Sequence, residues 1–114
     1  MMFNRFEDIE AWKKAQNLVL LVYKSLKDCK DRSFKDQMCR AVISIANNIA
    51  EGFERRTNKD FKNFLFISKG SCGEVRSMSF LALKLNYIDR DNFDSIFVNS
   101  EEISKMLSDL IKTL

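Results

Sequence analysis

Histidine and proline are absent from this chain, and glycine occurs only three times. Without histidine the side chain best suited to proton transfer near neutral pH is missing, and so is the Glu-x-x-His ligand set of di-iron bundles. No P-loop, dinucleotide fingerprint, GxSxG elbow or zinc-ligand spacing occurs either. The residues therefore point away from an enzyme, and no cofactor or metal is expected. With no proline, and glycine confined to Gly52, Gly70 and Gly73, little interrupts a helix. Cys29, Cys39 and Cys72 are odd in number and contain no CxxC pair, so they read as small apolar fillers in a reducing compartment. The longest apolar run, Leu18 to Val22, is far short of the ~20 residues needed to cross a bilayer. Glu7, Asp8 and Glu10 ahead of Trp12 suit neither a signal nor a transit peptide, which leads to a cytoplasmic expectation.

What is present fits an all-α protein. The 114 residues are 46% hydrophobic and 31% charged, the balance of one folded domain spanning 1–114. Periodicity predicts helices over about 9–29, 34–52, 58–86 and 91–113. The first carries Trp12, Ala15, Val19, Val22 and Leu26 on its core stripe. Ser33 is the expected cap of the second, which buries Met38, Val42, Ile45 and Ile49 and stops where Gly52 enters the left-handed conformation. Thr57, with Asp60 three residues on, caps the third, whose stripe is Phe61, Leu65, Ser68, Cys72, Val75, Ser79 and Ala82. Asp89 or Asp91 starts the fourth, with Phe93, Ile96, Ser100, Ile103, Leu107, Leu110 and Leu114 facing inward. Trp12, Ile45, Ile49, Phe61, Phe64 and Leu65 are expected to be largely buried. Short connections between long helices favour an antiparallel up-down-up-down four-helix bundle.

Two helices are more apolar than a lone bundle requires. Leu18, Leu20 and Leu21 lie off the main stripe of the first. The third has a second line through Phe66, Gly70, Gly73, Phe80 and Tyr87, which needs a burial partner. Gly70 and Gly73 each cost about 1 kcal/mol of helix propensity, and close approach of a neighbouring helix is the simplest reason for them. Phe66, Gly70, Gly73 and Phe80 are therefore the candidate oligomer interface.

Charge is unevenly placed. Residues 1–76 hold 15 Lys or Arg against 10 Asp or Glu, whereas residues 77–114 hold four against six. Arg55 and Arg56 precede the third helix and Lys59 and Lys62 open it, so four cations surround a helix N-terminus, a natural anion site. Lys62, Lys69 and Arg76 continue along one face at ~10.5 Å intervals. These six residues are the candidate phosphate-binding set; the plainer reading is a solvated helix face. Arg40, Ser44, Asn48, Glu51 and Glu74 form a second polar group, read as a satisfied structural network with Glu51 and Glu74 in hydrogen bonds or ion pairs.

Three blocks carry a family likeness: Phe6-Glu7-Asp8-Ile9 with Trp12, Lys14 and Ala15; Arg40, Ser44-Ile45 and Asn48-Ile49-Ala50-Glu51-Gly52; and Arg55-Arg56, Phe61, Phe64-Leu65, Ile67, Gly70-Ser71 and Glu74. Tyr87-Ile88 is a weaker echo. In these the chain resembles the four-helix-bundle proteins encoded by intervening sequences in bacterial 23S rRNA genes. It departs from their pattern at Ala46, where proline is usual, and at Glu54, where glycine is common. The resemblance implies an antiparallel bundle that assembles as a homopentameric ring, and it brings no established activity. The preferred function is a non-catalytic oligomer that binds nucleic acid, above all structured RNA, by electrostatic contact with phosphates. The alternative is a protein–protein adaptor, because the family also resembles the pentameric accessory proteins that accompany the reverse transcriptase of diversity-generating retroelements. A purely structural oligomer is the third reading.

Overall fold

Side-chain caps decide where three of the helices begin. In the computed structural model, which describes residues 3–114, α1 spans Glu10–Ser25, α2 Arg32–Phe53, α3 Asn58–Lys84 and α4 Arg90–Lys112, after a 3-10 turn at Phe6–Asp8. No strand occurs among the described residues. Asp31 caps α2 by accepting from the Phe34 N–H at 3.1 Å, so Ser33, the expected cap, lies inside the first turn. The carboxylate two residues earlier reaches the same free N–H groups and adds a negative charge at the positive helix end. Thr57 Oγ1 accepts from the Asp60 N–H at 3.1 Å to start α3, and Asp89 does the same for Asn92 at 2.7 Å in α4.

The helix ends differ from the expectation at one glycine. Gly52 lies within α2 and has no positive φ; α2 runs past it to Phe53, with Glu54 in right-handed backbone as its cap. A Cβ at Gly52 would stand 2.6 Å from Phe64 Cβ and 3.3 Å from the Phe61 carbonyl oxygen. This glycine is required by the close passage of α3 and has no part in a left-handed stop. The left-handed residue is Asn86, with φ 61°. It closes α3 in a Schellman turn, in which Tyr87 N–H donates to Ala82 O at 2.8 Å and Asn86 N–H to Leu83 O at 3.1 Å.

The helices pack around one core, α2 against α1 and α3, and α4 against α3 and α1. The result measures 44 × 22 × 19 Å along its principal axes. Ile45, Ile49, Phe61, Leu65, Val75, Ile96, Ile103 and Leu107 are buried at its centre. The phase of α1 differs from the expected stripe. Ala11, Ala15, Leu18 and Val22 face inward, so Leu18 is a core residue, while Trp12 and Val19 are half-buried. Both series have helical spacing, and the bulky indole takes the rim, where it packs edge-on to Phe6 at 5.3 Å. Phe64 is also only half-buried, its ring lying beneath the Arg55 guanidinium.

Polar groups inside this core have partners. Ser68 donates to the Ile45 carbonyl at 2.8 Å across the α2–α3 seam, and no buried side-chain N or O among the described residues lacks a hydrogen bond. Lys14 pairs with Glu102, tying α1 to α4 at the surface. Tyr87 Oη donates to Asp31 Oδ2 at 2.6 Å and packs edge-on to Phe34, which joins the α3–α4 connection to the start of α2.

Candidate functional site

Residues 54–57 turn the chain from α2 into α3, and this corner exposes Arg55, Arg56 and Lys59 to solvent. Arg55 is the least free of its cations. Its Nη2 donates to Glu51 Oε2 at 3.1 Å, one turn back on α2, and its guanidinium lies 4.7 Å from the centre of the Phe64 ring. Half of the side chain remains exposed, so the pair contributes little to stability, but the contacts hold Arg55 against the protein. Arg56 and Lys59 are exposed and form no ion pair among the described residues. They flank the first turn of α3, whose N–H groups add partial positive charge. Glu51, Glu54 and Asp60 lie in the same corner and offset part of the charge of Arg55, Arg56, Lys59 and Lys62.

Beyond the corner, the line of cations on α3 runs along the α4 side. Lys69 Nζ donates to Ser104 Oγ at 3.2 Å, and Lys62, Lys69 and Arg76 are all half-buried. Lys69 thereby reaches across the α3–α4 seam. Lys69 and Arg76 also act on Cys72. Burial pushes this thiol up to about 12 despite the two cations, so it stays protonated and inert at neutral pH. Cys39 is likewise pushed up by burial, and all three cysteines are free thiols.

The expected polar network is only partly assembled. Ser44 and Asn48 join at the α2–α3 seam, where Asn48 Nδ2 donates to Ser44 O and Oγ, both at 2.8 Å. Ser71, which the sequence reading did not place in this group, donates to Ser44 Oγ at 3.0 Å. Its position one turn beyond Ser68 on the inward side of α3 was the available signal. Glu51 belongs instead to the basic corner through Arg55. Arg40 and Glu74 are exposed and take no part in the network; neither has a salt bridge among the described residues. Glu74 was expected in a hydrogen bond or ion pair, and its outward position on α3 removes the need for one.

Of the second line expected on α3, Phe66, Gly70 and Phe80 are exposed and Gly73 is half-buried, whereas Tyr87 lies past the end of the helix and is held inward by Asp31 and Phe34. Phe66 is 54% exposed and Ile67 51% near one end of this outer face, and Phe80 and Leu81 are each 47% exposed near the other, with Gly70, Glu74 and Ser77 between the two patches. Gly70 has no atom within 4 Å of a built Cβ, and Gly73 meets only an Arg76 nitrogen at 4.0 Å. No helix of the same chain approaches either glycine. Phe80 lies at the far end of this face and leans on Phe93 and Phe97, with ring centres 5.0 and 5.7 Å away. Among the described residues no cluster of His, Cys, Asp and Glu has the arrangement of a metal site, and no helix is long and apolar enough to cross a membrane.

Against known proteins, the family model described as 23S rRNA-intervening sequence protein matches residues 7–109. Among solved structures, the chain is similar to a protein with unknown function from the S23 ribosomal protein family of Bacteroides thetaiotaomicron. Identity is 26% and the TM-score 0.82, over 90% of this chain and 95% of that one. No curated protein matches the chain.

Proposed function

We infer function from one premise: this chain belongs to the 23S rRNA-intervening sequence protein family. On that premise it is a non-catalytic protein that grips structured RNA by its phosphates, and it does so as an oligomer in the bacterial cytoplasm. The observation that carries the reading is the pair Arg56 and Lys59. Both are exposed and unpaired at the first turn of α3, and Lys62, Lys69 and Arg76 continue the positive line away from them. Helix N–H groups and unpaired cations at one corner suit a phosphate oxygen, whereas nothing in this set reads base edges, so weak sequence preference is expected.

The assembly belongs to the same reading. An up-down-up-down order fits the short connections and the packing of each helix on its two neighbours. A homopentameric ring, the assembly the family likeness implies, would repeat the basic corner and turn a monomer of net charge +3 into a strongly positive surface. The exposed Phe66, Ile67, Phe80 and Leu81 on the outer side of α3 support a contact between copies. The same residues favour a second reading, in which the chain is an adaptor for another protein such as a reverse transcriptase.

Salt separates the two. Binding of a structured RNA fragment should weaken with a logarithmic slope of about −0.9 per phosphate contact on a duplex, so four contacts lose roughly two orders of magnitude between 50 and 200 mM salt. Absence of binding at low salt would leave the adaptor reading ahead.

A further inference from the structure

Three aromatic rings are exposed among the described residues, and the chain itself accounts for two of them. Phe80 leans on Phe93 and Phe97. Tyr23 lines a shallow depression with Asp36, whose carboxylate offsets the charge of Arg40 there. Phe66 is the most open of the three and forms no ring pair among the described residues.

The surroundings of Phe66 on α3 are cationic. Lys62 lies one turn before it and Lys69 one turn after, about 6 and 4.5 Å along the helix axis. Lys59, exposed at the basic corner, stands two turns before it. Asn63, one turn back, is exposed as well. Gly70, one turn on, leaves open space, since a Cβ built there meets nothing within 4 Å. The neighbours of the ring along this side of α3 are therefore cations, an amide and a glycine. An open aromatic face among lysines suits a ligand that is flat, apolar on its faces and negatively charged at its edges.

We propose that Phe66 is the platform on which an unpaired base of the bound RNA stacks, while Lys59, Lys62 and Lys69 take the phosphates on either side. The proposal rests on the RNA reading above and names its substrate class: RNA with a loop, bulge or end that leaves bases unpaired. Bases paired inside an A-form helix keep their faces stacked on one another and out of reach of the ring. Every base has a π face, so the contact adds affinity without choosing a sequence. The other apolar patch, at Phe80 and Leu81, is left for contacts between copies.

Two RNAs with equal numbers of phosphates test the platform: a hairpin with an unpaired adenosine loop and a blunt duplex. At low salt the wild type should bind the hairpin at least about fivefold more tightly than the duplex. Phe66→Leu, which keeps an apolar side chain but loses the aromatic face, should abolish that preference. Its duplex affinity and salt slope should stay at wild-type values, because no phosphate contact is lost. Phe66→Trp should retain the preference. Equal binding of both RNAs by the wild type, or a hairpin preference that survives Phe66→Leu, would overturn the stacking role while duplex binding upheld the phosphate reading. Binding of neither RNA would overturn both. A smaller sedimenting mass for Phe66→Leu would assign the ring to a contact between copies and overturn the platform as well.

Discussion

A Cβ at position 52 would overlap Phe64 Cβ at 2.6 Å, and neither backbone has room to yield without separating α2 from α3. Gly52→Ala should therefore destabilise the fold by about 1–3 kcal/mol, in spite of alanine's better helix propensity. A lower denaturant midpoint would confirm it, and a raised one would show that the passage of α3 is looser than described. The residue is legible in sequence as a special position, but the reason is not. A glycine near the end of an apolar period looks like a left-handed stop, and only the long-range approach of Phe61 and Phe64 shows otherwise. Asn86 holds the left-handed conformation instead, a role its side chain tolerates and glycine does not monopolise. A second residue-scale device is the Asp31–Tyr87 hydrogen bond. It holds the Asp31 carboxyl below its ordinary 3.8, helped by the Phe34 N–H. A lowered folded value means stabilisation that is fully present above the ordinary aspartate range and lost as pH falls through the lower folded value. Tyr87→Phe should shift the acid-unfolding midpoint upward, and an unchanged acid limb would show that the bond contributes nothing.

At the scale of elements, number and order of helices were readable because apolar spacing and caps agree over long segments. Thr57 is readable as a cap from residue type, and Asp89 is one of the two candidates, with Asp91, that residue type offers for α4. The phase of α1 was not readable, because its apolar residues occupy two adjacent stripes. Ala11, Ala15, Leu18 and Val22 differ from Trp12, Ala15, Val19 and Val22 by one position, and packing against α2 and α4 selects the first set. In α3 no such ambiguity arises, since Ser68, Cys72 and Ser79 mark the narrow inward side and Phe66, Ile67 and Leu81 the outward one. Phe61, buried under Phe53 with ring centres 5.9 Å apart, anchors the α2–α3 seam. Phe61→Ala should cost about 3–5 kcal/mol in equilibrium unfolding. A loss below ~1 kcal/mol would mean that the seam collapses around the cavity without penalty.

For the whole molecule, the candidate site was visible as charge but not as free charge. The sequence places Arg55, Arg56, Lys59 and Lys62 together; it does not reveal that Arg55 is held by Glu51 and Phe64, or that Lys69 leans on Ser104. Partner choice depends on side-chain directions set by the packed helices. The outer side of α3 carries the other whole-molecule expectation. A chain of 13.3 kDa should sediment at micromolar concentration as a pentamer, and Gly70→Glu, which puts a charge between its apolar patches, should lower that mass while leaving the helices intact. A monomeric wild type would contradict the assembly.

The proposed function places RNA phosphates on the unpaired cations at the start of α3. Its most direct measurement compares, at low salt, the affinity of the wild type for a structured RNA with two charge-reversed pairs. Arg56→Glu/Lys59→Glu changes the free residues of the corner, and Lys105→Glu/Lys112→Glu removes the same charge from exposed positions on α4. The first pair should lose most binding, and most of the salt slope, with helicity unchanged, while the second should lose little. Equal losses from both pairs would reduce the binding to generic charge attraction and contradict a site at the corner.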